Sequence, residues 1–560
     1  MAAELITRIY SNFRGVDFRG DEINLIRSPD SLNVYKDYKE TESIRTRPDL
    51  ELAKSFSDTV YGIFFFTVSG TTMMLAHSGN KLYKCIGTSA SVIFTGLNKA
   101  QSQSFIYNNV FYLKDGLNYL QYDGQIVKEV EGYIPTTSIA RKPKSGGTIY
   151  EDVNMMSDYR INTFLADGEG TVFYLDAQNI DIDYVPIVTV GGVPATGFKV
   201  DYANGWITFT EPPEAPLTDG QDNITVKFKK TVKGHKDRIK KCTLLQVFDN
   251  RVFFSGNPDY PNVIYHCSLN DPSYCSDLDY YSEGLDNGMV KGLVAGNNVL
   301  WVFKEPNQAN TTVFYHTPTI DSEYGKIYPS THSSISIGCV GKAINFNDDI
   351  IFFGQRGMEG INGDITTEQA VAHRSSLVDR KLIAEPNYKD MLLEEWNGYL
   401  LVIIDDRVYL ADSRAMFTNE NHYEYEWFYW NLGKKITCTK VDNGILHLGT
   451  GDGVYTLTDT TGDVESYWVT PKDKFQYPHK LKTSNKRGCV AEATGDITVY
   501  AKVEDTDFEF IGTYENITDY FVSRIKRKKF KDIQLKFHSK TRFSLETVTL
   551  ECFVGGYIKR

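Results

Sequence analysis

Asp271, Asp277, Asp279, Glu283 and Asp286 crowd into one short stretch, and a pair of carboxylates at a set separation is what glycoside hydrolysis requires. With no second feature fixing that separation, the stretch reads as an exposed acidic loop between strands. Asp176, Asp181 and Asp183 offer oxygen ligands for calcium, but the Gly and Glu framing of a dedicated loop is missing. They read as hairpin polarity. His266, Cys267 and Cys275 are close enough in sequence to attract zinc, yet no second ligand pair accompanies them.

The remaining searches for chemistry return nothing. The chain lacks G-x-S-x-G, H-E-x-x-H and G-x-x-x-x-G-K-S/T, along with the S-x-D-x-G-x-T-W turns of sialidase-like propellers. Its eight cysteines include no C-x-x-C pair, which suits free thiols in a reducing compartment. No catalytic, cofactor or metal-binding residue is assigned, and the expectation is a protein that is not an enzyme. The aromatic run Tyr423, Tyr425, Trp427, Tyr429 and Trp430 is either a platform for a host glycan or a buried strand.

Charge narrows the partners. A formal charge of -12 argues against general nucleic-acid binding, which depends on Lys and Arg displacing counterions from phosphates. Residues 517–560 run the other way, with eleven Lys or Arg against four Asp or Glu. A basic end on an acidic body suggests subunits that meet head to tail. The basic run Arg524, Lys526, Arg527, Lys528, Lys529 and Lys531 is interleaved with Ile525 and Phe530. Strand alternation spreads such a run over both faces, so it reads as a solvated or subunit-facing strand edge that Lys protects from stray pairing.

The elements that would position these residues are strands. Tyr and Phe number 36 and 32, and aromatic side chains favour the pleated surface. One theme recurs at 61–85, 104–122, 244–267, 290–315, 342–361, 394–411 and 436–457: an apolar strand, a turn with Asn, Asp or Gly, a very apolar strand, a second turn, and a strand marked by an aromatic. Apart from one long gap the instances start about 40 to 50 residues apart, the period of four-stranded propeller blades. One small sheet cannot bury both faces alone, whereas radially stacked blades cover one another. The predicted fold is all-β, a propeller of about seven blades with an inserted small β-sandwich and a C-terminal β-sandwich.

The gap holds the insertion, where Gly191-Gly192 and Asn204-Gly205 separate alternating strands, a strong hairpin signal. The expected division is 1–158 for an N-terminal arm and first blades, 159–232 for the inserted sandwich, 233–466 for the remaining blades and 467–560 for a basic C-terminal sandwich. Residues 366–393 form the one helix-like stretch, limited by Pro386, and are expected as short helices on an inter-blade loop. The first twenty residues lack the apolar core of a secretory signal. No segment is apolar for long enough to span a membrane, the longest candidate being 61–68.

Three ordered stretches resemble virion proteins of tailed bacteriophages, the propeller family of packaged-DNA stabilisation proteins and tail nozzles. The first is the opening, where Asn12-Phe13-Arg14-Gly15, Ser31-Leu32-Asn33-Val34 and Arg45-Thr46-Arg47-Pro48 match the family's phrases and Asp49 replaces its usual Gly. The second is the insertion, with V-G-G-V-P at 190–194 and V-D-Y-A-N-G-W-I-T-F-T-E-P-P at 200–213. The third holds W-V-F-K at 301–304, I-G-C-V at 337–340 and F-F-G-Q-R-G-M at 352–358. The resemblance implies a homo-oligomeric ring of six copies in the tail or neck of the virion. It would contact the portal or adaptor and other tail proteins, and double-stranded DNA would pass through it. An acidic lining would suit such a passage by repelling phosphate. A phage adsorption protein that binds host glycan and a propeller glycosidase stand as the alternatives.

Overall fold

The computed structural model describes residues 4–37, 43–144, 146–322, 325–361, 371–419, 422–459, 463–525 and 529–557, apart from the side chains of 486 and 487. The chain divides into two compact units, one of Met1–Phe65, Met73–Val92 and Ser333–Arg560, the other of Phe66–Thr72 and Ile93–His332. Strand follows strand through both. Among the described residues the α-helices are the short His235–Lys240 and Asp379–Leu382. None is long and apolar enough to cross a membrane.

Among the described residues, seven four-stranded antiparallel sheets, the blades of a β-propeller, coincide with the seven sequence repeats. They are numbered here as blades 1 to 7 in chain order. In each, the first two strands meet at a two-residue turn with both residues at positive φ: Ser69-Gly70, Asn108-Asn109, Asp249-Asn250, Asn297-Asn298, Asn347-Asp348, Asn397-Gly398 and Asn443-Gly444. Such turns twist in the same sense as the strands they join, and Asn, Asp and Gly tolerate the left-handed backbone they need. In blades 5 and 6 the strand after the turn, Asp349–Gly354 and Tyr399–Ile404, is buried throughout.

Both faces of these strands are in use, one toward each neighbouring blade. Leu400 and Val402 of blade 6 pack with Ile351 and Phe353 of blade 5, while Leu401 and Ile403 pack with Leu446 and Leu448 of blade 7. In the other unit, Phe254 of blade 3 packs with Tyr119 of blade 2, and Phe253 with Leu300 and Val302 of blade 4. Each such side chain contributes about 1.5–3 kcal/mol of transfer free energy, which explains why these strands read as continuous apolar runs rather than alternating ones.

Blade 7 draws on a distant part of the chain. Three of its strands are Cys438–Asp442, Ile445–Gly449 and Gly453–Thr458, and the fourth is Asp49–Ser55, paired antiparallel from Gly453↔Ser55 to Thr458↔Asp49. The N-terminal arm also enters the C-terminal region. Glu4–Tyr10 pairs along Phe543–Tyr557, and Ser31–Leu32, Val34–Lys36 and Ile44–Thr46 join the same eleven-stranded sheet. The pattern of residues in this arm grouped it with the first blades, because periodicity registers a strand but not its partner.

The insertion is a sandwich. A six-stranded sheet, which also takes in Thr136–Arg141 and Thr148–Ile149 upstream of 159, packs on a three-stranded sheet around Phe164, Phe173, Ile207, Val226 and Phe228. Within the helix-like stretch, 366–370 lie outside the described residues. Val371–His373 is the last strand of blade 5 rather than helix, and Leu392–Trp396 opens blade 6. Asp379–Leu382 and a 3-10 turn at Tyr388–Asp390 lie between them, on either side of Pro386.

The turn chemistry can be tested where nothing else interferes. Gly444 has φ +78 and no atom within 4 Å of where a Cβ would stand. Gly444→Ala should therefore cost about 1–2 kcal/mol through backbone conformation alone, read as a lowered urea midpoint.

Candidate functional site

The acidic stretch 271–286 does not assemble a pair of free carboxylates. Glu283 is fully buried, and its carboxylate faces His316 Nε2 at 3.0 Å and accepts from Ser330 Oγ at 2.5 Å. Lys304, also fully buried, donates to the Glu283 carbonyl at 2.6 Å and to both Asp286 oxygens at 2.9 Å. Asp271 caps its own turn through Ser273 N and Oγ. Burial pushes Asp279 up to about 6 and the neighbouring His266 down to about 4. The pair, 3.8 Å apart, is therefore not ionic at neutral pH. Glu283 and Asp286, which follow the last strand of blade 3, are thus fastened to His316, Ser330 and Lys304 of blade 4.

The other candidates resolve in the same way. Asp181 accepts from Thr231 N and Oγ1, and Asp183 from Lys229 Nζ at 2.6 Å. Both anchor the exit of the insertion, while Asp176 donates its N–H to Asn162. His266 turns its ring toward the Cys267 carbonyl, and Cys267 Sγ lies on Val252 O. All eight cysteines are free and buried. No group of three metal-ligating side chains occurs among the described residues.

The aromatic run is not an exposed platform. Tyr425, Trp427, Tyr429 and Trp430 are buried in the last strand of blade 6, and half-buried Tyr423 lies under the Arg374 guanidinium at 3.8 Å. The reason is that this strand is covered by the N-terminal arm. Of the basic run, Lys526, Arg527 and Lys528 lie outside the described residues. Arg524, Lys529 and Lys531 are exposed while Ile525 and Phe530 are buried, so the described cations keep to the exposed side instead of spreading over both faces.

Polar groups also converge under the arm. Val16 N donates to Trp427 O at 2.6 Å, and Gly15, at φ +99, approaches so closely that a Cβ would overlap that carbonyl oxygen. Phe13 packs edge-on to Trp468. Arg27 forms two parallel bonds to Glu426, at 2.8 and 2.7 Å. Asn33, itself at φ +55, accepts from Arg47 Nε at 3.0 Å and from Asn431 N at 2.8 Å, and its amide donates to Glu465 O. Arg47 also donates to the carbonyls of Pro48 and Asn431, and burial lowers it to about 10. The phrases of the opening are thus the residues of a latch between blade 6 and the C-terminal sheet. Gly15, Asn33 and Arg47 stood in those phrases without a role, and Arg27 and Glu426 carried no sequence signal at all.

A cleft of about 750 Å³ opens beside the latch, lined by Asp17, Arg19, Asp21, Glu22, Arg380 and Lys472 among others. Its charges are mostly matched in place. Arg19 is held by both oxygens of Asp17, and Lys472 by Asp505 at 3.0 Å.

No protein-family model matches this sequence, and no curated protein matches it. Among solved structures, BamB from Moraxella catarrhalis is 11% identical over 73% of this chain and 97% of its own, with a TM-score of 0.33. The AfRom2 CNH domain is 7% identical over 74% and 100%, with a TM-score of 0.32. A glycoside hydrolase is 8% identical over 88% and 98%, with a TM-score of 0.22. Likenesses this distant assign neither family nor activity.

Two predictions follow from the charged contacts. Arg27→Met leaves the buried Glu426 carboxylate unpaired and should cost about 3–5 kcal/mol, while Arg27→Met with Glu426→Gln should recover most of the loss, as measured by urea unfolding. In blade 5, His373 lies 2.6 Å from Asp379 and 3.3 Å from Glu359. Burial opposes its charge, but the two carboxylates outweigh it and push it up to about 10. A raised value stabilises fully below the unfolded pKa near 6.5 and is lost as pH rises through 10. Wild type should therefore lose stability relative to His373→Gln between pH 7 and 10.

Proposed function

We propose that this chain is a structural protein of a tailed-bacteriophage virion, a nozzle or head-to-tail component. Six copies would form a ring around the channel, retaining packaged DNA and conducting it during ejection. The observation that carries this reading is the stitching of the N-terminal arm. Residues 4–55 supply strands to the C-terminal sheet and the outermost strand of blade 7, so the arm cannot be pulled out without breaking ladder pairing along its length. A part that holds back a pressurised genome needs that mechanical continuity.

Two further points agree. The net charge of -12 suits a wall that DNA slides past rather than adheres to. The charged groups that might have done chemistry are instead turned on one another, as Glu283, Lys304 and Arg27 are. The adsorption reading loses its best support, because Tyr425, Trp427, Tyr429 and Trp430 are buried.

The reading is tested by imaging particles that carry a tagged copy. Density on the tail axis below the portal, in a ring, is the expected outcome. A peripheral position on fibres would favour an adhesin and overturn the proposal. Particles built with Arg27→Met should release their DNA at a lower temperature than wild type, measured as nuclease-sensitive DNA.

A further inference from the structure

We propose that Cys267 and Cys275 are a redox pair, two thiols in the reduced protein that join as a disulfide when hydrogen peroxide reaches them. The inference goes beyond the phage reading and does not depend on it.

The pairing follows from the backbone between the two residues, in the connection from Val263–His266 to Tyr280–Ser282 of blade 3. Ser268 N donates to Tyr274 O at 2.7 Å and closes a loop. Cys267 and Cys275 stand one residue further out on either side, so they face each other as the next antiparallel pair. Neither owes its N–H to the other, because Cys267 N donates to Val252 O and Cys275 N to Asn154 Oδ1. Pairs without mutual hydrogen bonds have Cα atoms about 4.5 Å apart, within the roughly 4.4–6.8 Å that a disulfide spans.

The side chains meet as the backbone requires. Both lie in one core cluster with Tyr119, Met155 and Phe254, and their thiols are within hydrogen-bonding reach of each other. That contact first, and burial second, push the Cys275 thiol well above its ordinary value. Cys267 Sγ is held in place by Val252, accepting from its N–H at 3.3 Å and donating to its carbonyl at 3.4 Å. Cys242 shares the cluster but donates its thiol proton to Arg238 O at 3.0 Å.

The chemistry balances with one small oxidant. Peroxide transfers an oxygen to one sulfur, giving a sulfenic acid and water. The second sulfur attacks the first, the S–O bond breaks as the S–S bond forms, and hydroxide leaves with the second thiol's proton as another water. Two thiols are oxidised and one peroxide is reduced. Cys267 is 1% exposed and Cys275 fully buried, so the reaction proceeds only as the loop opens.

The loop is a joint, which gives its locking a consequence. Pro272 O accepts from Tyr119 Oη of blade 2 at 3.0 Å. Ser273 O accepts from Tyr133 N at 3.2 Å and from Asn154 Nδ2 at 2.9 Å, both on the path into the insertion. Asn270 N donates to Asn250 O in the first turn of blade 3. A reducing compartment leaves this joint free to open, and an oxidising one fastens it at its base.

The test uses the full chain, reduced with dithiothreitol, freed of it, incubated with hydrogen peroxide, alkylated and cut with chymotrypsin. Mass spectrometry should find the peptides carrying Cys267 and Cys275 joined, two hydrogens lighter than the reduced pair. Amides of 269–274 should exchange at least about tenfold more slowly in the joined form, and dithiothreitol should restore the faster rate. Cys267→Ser and Cys275→Ser should each abolish both effects, while Cys242→Ala keeps them. Wild type compared in its two states carries the test even where a serine variant does not fold. No link after peroxide, a link that forms only in denaturant, a link to Cys242 instead, or a bridge that leaves exchange unchanged would each overturn the proposal.

Discussion

The pairing of Asp49–Ser55 with Gly453–Thr458 governs how the unit containing blades 5, 6 and 7 holds together. A run of stacked blades has cooperative interfaces between neighbours but nothing to fix its ends, and an unpaired outer strand offers its backbone groups to any other strand. Supplying the last blade's outer strand from a segment some four hundred residues upstream addresses both problems. The closing entropy of so long a loop grows only logarithmically with its length, while the ladder and the packing of Val60 and Ile63 on Cys438 and Val454 are gained in full. Blade 7 is thus completed only by the arm, which ties its outer edge to the chain's opening.

The latch shows the same constraint in electrostatic form. Buried ion pairs are poor sources of net stability, since desolvation offsets most of the attraction, yet losing one partner is costly. Arg27 with Glu426, and Arg374 with Asp349, therefore specify where segments must meet more than how tightly they hold. An arm placed one residue out of register would strand Glu426 in an apolar strand and drive Gly15 away from the Trp427 carbonyl, the only spacing at which Val16 can bond there. Specificity of docking is the reasonable return on burying so much charge.

How much of this was legible depended on range. The blades were visible because every repeat carries its own turn, from Asn108-Asn109 to Asn443-Gly444, and a turn is a local property of two residues. The insertion announced itself through Gly191-Gly192 for the same reason. The partner of a strand is not local. Asp49–Ser55 and Glu4–Tyr10 read as strands of the arm, and nothing in their residues names Gly453–Thr458 or Phe543–Tyr557 as the other side. The aromatic run at 423–430 was ambiguous for the same cause, since burial on its outer face is supplied by the arm. Carboxylates such as Glu283 looked reactive in sequence because sequence shows a donor or acceptor without the His316, Ser330 or Lys304 that occupies it.

The insertion shows why a propeller tolerates added modules and where selection can act on them. Its entry and exit are clamped side by side: Lys230 N donates to Asp158 O at 2.7 Å, and Lys236 Nζ pairs with the Asp158 carboxylate at 2.5 Å. With the two ends fixed this closely, the module's fold is set by its own core of Phe164, Phe173 and Phe228, and the strand pairing of blades 2 and 3 on either side stays complete. Residues at its far end are therefore free of any duty to the blades.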